Sequence, residues 1–266
     1  LMAVAEKLGV RFICGRPVTQ IIVNKNKAEG IVLEGGEQVS ADIVVANADL
    51  PYVYRELLPD KKKSSRIDRL SFACSAIVLH WGLDKAYPQL GHHSVFLSDN
   101  YRRNLRRIFR GKSLSDNPSF YVHAPSRTDA SAAPAGGDTL SVIIPCGHLD
   151  PRKPRNWGER FEHARKAVIR RLKSLGMNDI EAHIKFEYRY LPADWQKTFN
   201  LSRGSTFGGL SHSIFQMGYF RPHNRHRKYR NLYFAGGSTH PGNGIPLVLL
   251  SGQLTAERIL KEYPAV

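Results

Sequence analysis

Residues 231–254, NLYFAGGSTHPGNGIPLVLLSGQL, combine a short aromatic run, five glycines, Pro246 and an apolar stretch. The expected layout is a strand over 232–235, a break at Gly236-Gly237, and a helix beginning near Gly244-Ile245-Pro246. Paired glycines clear side chains from a surface against which a ligand can lie. Pro246 suits a first helical turn, whose N–H groups have no intrahelical partner. Those free donors, at the positive end of the helix dipole, favour an anion or an electron-rich carbonyl edge. The expected chemistry is a cofactor or phosphate held against the main chain.

Other reactive residue types are less organised. His240 lies in the same loop and reads as a histidine satisfied by backbone. His212 in LSHS and His92-His93 in GHHS have no Asp or Glu at ligand spacing, so no metal site is expected. No G-x-S-x-G elbow occurs, and no catalytic side chain is assigned. Cys14, Cys74 and Cys146 are far apart and odd in number, which argues for reduced, partly buried thiols.

Elements able to position the glycine loop can be read along the chain. Apolar residues at Leu1, Val4, Ala5 and Leu8 follow helical spacing, with Gly9 as the stop. A helix that opens without a cap marks the sequence as an expected fragment. Runs at 19–23 and 30–33 read as a small antiparallel pair, followed by an apolar strand at 43–46. Residues 49–69, with PDKKKSSR, read as a solvated basic turn at a domain crossing. Residues 71–83 and 139–147 read as strands covered on both faces. The stretch between them that runs SRTDASAAPAGGD reads as an exposed loop. A helix is expected over 157–175, ended by Gly176, then a half-buried strand with Ile184, Phe186 and Tyr188 on one face.

The chain's 266 residues, 42% hydrophobic and 10% aromatic, suffice for one large or two modest domains. No apolar run approaches the roughly 20 residues of a spanning helix, and the opening lacks a signal-peptide layout. A formal charge of +16 attracts polyanions. The segment YRRNLRRIFRGK sets Tyr101, Leu105, Ile108 and Phe109 on one helical face among Arg102, Arg103, Arg106, Arg107 and Arg110, as in a helix lying at a membrane surface. No finger, RNP-like or basic-zipper pattern accompanies the basic stretches, so nucleic acid is not an expected partner.

The order G-G-S-T-H-P-G-N-G-I-P followed by LLSG resembles the C-terminal flavin-binding signature of the bacterial and fungal phytoene desaturase family, carotenoid desaturases of the flavin amine oxidase-like superfamily. EKLGVRFICGRPVTQIIV, GEQVSADIVVANADLPYVY, YLPADW and GSTFGGLSHSIFQMGYFRPHNR are similar to the same family in order and spacing, so the resemblance covers nearly the whole chain. Asn243 stands where the family more often carries Ala or Thr. The family's opening strand, G-x-G-x-x-G, helix unit for the FAD pyrophosphate is not in this sequence. The resemblance therefore implies a mixed α/β fold, the C-terminal part of a two-domain FAD-dependent oxidoreductase with a Rossmann-like FAD domain and a mixed-sheet substrate domain. It implies FAD-domain segments at 1–50 and 204–266, and a substrate and membrane-associated domain at 51–203. It further implies backbone contacts to adenine from Val18, and contacts to pyrophosphate, ribityl and isoalloxazine from Gly236, Gly237, Gly244, Ile245 and Pro246. Expected partners are a carotenoid hydrocarbon, oxygen or a quinone as electron acceptor, and an anionic membrane. The expected location is peripheral, on the cytoplasmic membrane face. A carotenoid isomerase, a carotenoid or retinoid oxidoreductase, and a noncatalytic lipid-binding relative are the alternatives.

Overall fold

The structure, a computed structural model, describes residues 1–109 and 114–264. Two compact units divide the chain: Leu1–Arg69 with Arg221–Val266, and Leu70–Phe220. Both borders fall later than the expected ones at 50/51 and 203/204. At the first border the reason is apolar burial, since Leu50, Val53, Tyr54 and Leu57 of the first unit are buried. The Tyr54 ring sits 5.6 Å from His226 and 5.7 Å from Phe234.

The first unit begins with α1 (Met2–Lys7), which buries none of its residues. Strands β1 (Val18–Asn24), β2 (Lys27–Leu33) and β3 (Gln38–Ser40) form an antiparallel sheet. The β1–β2 turn takes Lys25 to φ 49°, and Gly30 at φ 152° lets β3 pass so close that a Cβ would lie 2.1 Å from the Val39 carbonyl oxygen. After β4 (Val44–Ala46), a short α2 (Leu50–Tyr52) runs into a π-helical turn over Val53–Leu57. The basic stretch then folds as α3 (Lys61–Asp68), correcting the expected turn. Lys and Arg are good helix formers, and a helix whose one apolar residue is Ile67 gives no apolar period to read.

The second unit is built on a five-stranded antiparallel sheet. Its strands are β5 (Ser75–Leu83), β6 (His93–Phe96), β7 (Phe120–His123), β8 (Asp138–Cys146) and β9 (Ile184–Tyr190), in the order β6-β7-β8-β5-β9. Its helices are α4 (Tyr101–Phe109), α5 (Trp157–Lys173), α6 (Ile180–His183) and α7 (Pro192–Phe199). Asn156 caps α5 by accepting the Glu159 N–H at 3.2 Å. Helix α5 buries Phe161, Val168, Ile169 and Leu172 against Leu79, Trp81, Val142 and Ile144. Each such side chain is worth about 1.5–3 kcal/mol.

Strand β8 alternates strictly between buried and half-buried, so only one face is covered tightly, unlike the expected doubly covered strand. The expected exposed loop contains a buried ion pair. Asp138, with no exposure, receives Arg127 Nη2 at 2.7 Å, and the same guanidinium donates to the carbonyls of Tyr87 and Leu90 at 2.7 and 2.8 Å. Helix α4 buries Asn104 and Ile108 and leaves Tyr101 and Phe109 exposed, so the expected apolar face is split. Arg110 of that expectation lies outside the described residues. Strand β9 turns Phe186 and Tyr188 outward, 60% and 49% exposed, where a half-buried face was expected. Its inward partners are polar: Glu187 accepts from Trp81 Nε1 at 2.6 Å and from Arg165 Nε at 2.8 Å.

The chain returns to the first unit with β10 (Leu232–Phe234) and α8 (Ile245–Glu262). Strand β10 pairs in parallel with β4, Leu232 opposite Val44 and Phe234 opposite Ala46. Asn231 fixes this return, accepting from Ala28 N at 2.8 Å and donating to the carbonyls of Ala28 and Asp42 at 2.6 Å each.

Candidate flavin site

Parallel strands finish side by side, and ligands of such sheets sit beyond their carboxyl ends. Here those ends are Asn47, after β4, and Gly236, after β10. Gly236 has φ 112°, and a Cβ on it would lie 2.9 Å from Asn47 Nδ2, so the crossing of the two chains leaves room only for glycine. Asn47 Nδ2 donates to the Ala235 carbonyl at 3.1 Å, and Gly236 N donates to Ser251 Oγ at 3.1 Å.

The loop beyond is held from beneath by polar side chains. Buried Arg221 donates from Nε and Nη2 to the Gly237 carbonyl at 3.1 and 2.6 Å. Burial lowers its pKa, and the charge of Asp49 opposes that shift. Asn224 Nδ2 lies within hydrogen-bond distance of the carbonyls of Phe234 and His240 and of Ser251 Oγ, at 3.2, 2.9 and 3.0 Å. Thr239 Oγ1 donates to the Gly236 carbonyl at 2.9 Å, and Leu50 N donates to Ser238 Oγ at 2.8 Å. Sequence spacing could not reveal Arg221 and Asn224 as supports of this loop, because their partners, mostly main-chain carbonyls, lie 10 to 27 residues away.

Above this bed, Gly244 (φ 103°) is the N-cap of α8, with open space where a Cβ would stand. The first intrahelical bond runs from Val248 N to the Gly244 carbonyl at 2.9 Å. The N–H groups of Ile245 and Leu247 therefore have no carbonyl in the preceding turn, and Pro246 has no N–H to lose. Gly244, Ile245 and Pro246 are exposed, Gly236 is buried, and Gly237 is half-buried. Val18, half-buried, opens β1 in the separate three-stranded sheet.

Helix α8 is patterned in reverse. Its buried residues are Ser251 and Thr255, whereas Ile245, Leu247, Leu249, Leu250 and Leu260 are exposed. The hydroxyls face β10, where Thr255 Oγ1 donates to the Phe234 carbonyl at 3.0 Å.

A strand, glycine loop and helix start of this kind, in a chain whose second unit carries an antiparallel sheet where a mixed one was expected, belong to the fold of FAD-dependent amine oxidase-type oxidoreductases. The chain belongs to the family described as flavin containing amine oxidoreductase, which matches residues 1–260, and the family's cofactor is FAD. It is 42% identical over 262 residues to a zeta-carotene-forming phytoene desaturase of Myxococcus xanthus, covering 98% of this chain and 50% of that protein. It is 36% identical to a phytoene desaturase of Neurospora crassa (98% and 46% covered) and 35% identical to a 4,4'-diapolycopene oxygenase of Methylomonas sp (97% and 52%). The chain thus spans about half the length of the curated relatives it matches. Among solved structures, an oxidoreductase from Methanosarcina mazei superposes with a TM-score of 0.58 at 15% identity, covering 96% of this chain and 52% of that one. A putrescine oxidase variant superposes at 0.51 and 15% identity, covering 98% and 51%. Both likenesses speak to fold alone.

Proposed function

We propose that the full-length protein is an FAD-dependent carotenoid desaturase that introduces double bonds into a polyene hydrocarbon. The carrying observation is the bed of side chains that holds a bare glycine loop beneath the open N-terminus of α8. When bound, FAD supplies two-electron oxidation: a saturated C–C segment loses a hydride and a proton and becomes a double bond, and the electrons pass on to oxygen or a quinone.

The residues present fit half of such a site. Gly236, Gly237 and Gly244 let an extended cofactor approach the main chain. The N–H groups of Ile245 and Leu247, with the α8 dipole, would stabilise negative charge on a bound flavin. Pro246 shapes that turn, and Val18 offers backbone to adenine. The apolar face of α8 is the natural seat for the remaining half of the cofactor domain, since an uncovered face of this size is costly in water. The open face of the second unit's sheet, with Phe186, Tyr188 and Tyr190, offers aromatic surface suited to a hydrocarbon.

Gly244→Val in the full-length protein should abolish stoichiometric flavin, read from the visible absorption of the purified protein. Full flavin retention would remove this loop from the site. A C40 hydrocarbon supplied in vesicles should give products with longer conjugation and no added oxygen. The likeness to an oxygenase keeps a second reading, in which mass spectrometry would find oxygen in the product.

Helix α4 exposes Arg102, Arg103 and Arg106 together with Tyr101 and Phe109. This combination supports peripheral docking on an anionic membrane, where each Arg near the surface is worth about 1 kcal/mol. Changing the three to Gln should weaken co-sedimentation with anionic vesicles, most clearly at low salt. Equal binding by both proteins would remove α4 from docking.

A further inference from the structure

At the β6 edge of the second unit, three histidines from two chain segments meet. His93 lies on β6 opposite His123 on β7, and His92 immediately precedes the strand. Ring centroids are 4.3 Å apart for His92 and His93, 4.8 Å for His92 and His123, and 5.4 Å for His93 and His123. One nitrogen from each ring lies within 4.8 Å of the others. His92 Nε2 and His123 Nε2 are 3.0 Å apart.

We propose that His92, His93 and His123 form a binding site for a divalent late transition metal, with Zn2+ as its type case. Zn–N bonds of about 2.0–2.1 Å at tetrahedral angles put two ligand nitrogens about 3.3 Å apart. The His92–His123 pair is already near that spacing, and exposed His93 closes the larger gap by rotating its ring. Imidazole is the ligand type that Zn2+, Ni2+ and Cu2+ share, and three of them leave a fourth position to water.

Supporting hydrogen bonds aim two of the rings. Thr128 Oγ1, which donates to the Pro125 carbonyl at 3.4 Å, lies 2.8 Å from His92 Nδ1 and accepts its proton. Tyr121 Oη lies 2.7 Å from His93 Nδ1. The Thr128 bond places the proton of His92 on Nδ1 and leaves its Nε2 lone pair for a metal, the arrangement by which ligating histidines are oriented. An N–H···N bond between His92 and His123 would account for one pair of rings, but not for the convergence of the third. The GHHS sequence gave no such signal, because the third ligand comes from 30 residues downstream through strand register.

The test uses the full-length protein stripped with a chelator and titrated with Zn2+ by calorimetry. One equivalent should bind, and His93→Gln, whose parent side chain is exposed and removable without a core defect, should weaken that binding at least tenfold. Co2+ in place of Zn2+ should give visible d–d bands that His93→Gln loses. Thr128→Val, which keeps all three ligands, should cost about tenfold in affinity. Absence of a bound equivalent in the wild type, or equal affinity in wild type and His93→Gln, would overturn the proposal.

Discussion

Helices α5 and α8 are nearly equal in length and opposite in pattern. Helix α5 turns Phe161, Val168 and Leu172 into a closed core and gives Arg and Lys to water. Helix α8 turns Ser251 and Thr255 inward and leaves its leucines outside. The first arrangement is that of a finished amphipathic helix. The second is that of a helix whose hydroxyls tie down a strand and a loop while its apolar side is exposed. The contrast is between a long helix whose apolar side is buried and one whose apolar side is exposed.

The largest test of that contrast is Asp138→Ala. Loss of one partner from a buried ion pair leaves the Arg127 guanidinium uncompensated, at a cost of about 3–5 kcal/mol. The three tryptophans, Trp81, Trp157 and Trp195, all lie in the second unit. Urea unfolding followed by tryptophan fluorescence should therefore show the full loss. In the first unit, Asn231→Ala strips Ala28 N–H and two carbonyls of their partner, at about 2–3 kcal/mol. Hydrogen exchange should accelerate in β2 and β10 while the tryptophan transition stays in place. A tryptophan transition that shifts equally would merge the two units into one cooperative body.

Leu249→Ser probes the uncovered face. In the full-length protein it should cost about 1.5 kcal/mol and reduce flavin retention, whereas in the 266-residue chain it should change nothing measurable. An equal effect in both would mean that α8 already has its cover.

The smallest effect belongs to pH. Asp179 is drawn from its ordinary 3.8 to about 2, chiefly by the hydrogen bond from Lys85, against some desolvation. A carboxyl group with a depressed folded pKa stabilises fully above its ordinary value, and this contribution fades as pH falls from about 4 to about 2. The difference in melting temperature between wild type and Asp179→Asn should be present at pH 5 and much reduced at pH 2. A difference undiminished at pH 2 would have another origin.

What the sequence showed was what local period and turn chemistry can carry. The β1–β2 hairpin, α5 with its Gly176 stop, and the strand, glycines and helix around Gly244 were all legible because their signals lie within a few residues. Polar α3 was missed for want of an apolar stripe. In β9, alternation identifies two faces without saying which is covered, so the outward turn of Phe186 and Tyr188 was invisible. The supports of the glycine loop and the meeting of His123 with His92 depend on pairings made only in three dimensions.

The second unit also closes on its own ends. Ser71 N donates to Gln216 Oε1 at 3.0 Å and its carbonyl accepts from Gln216 Nε2 at 2.8 Å, while Phe72 pairs with Leu210. Once this unit has folded, the roughly 150-residue excursion between the two halves of the first unit acts as a short loop. Shortening an effective loop from about 150 to about 10 residues removes nearly four doublings, or about 2 kcal/mol of closure entropy. Order of assembly follows from this: pulse-labelled amides of β5 and β8 should be protected before those of β10, and the reverse order would show that the excursion is not what brings the two halves together.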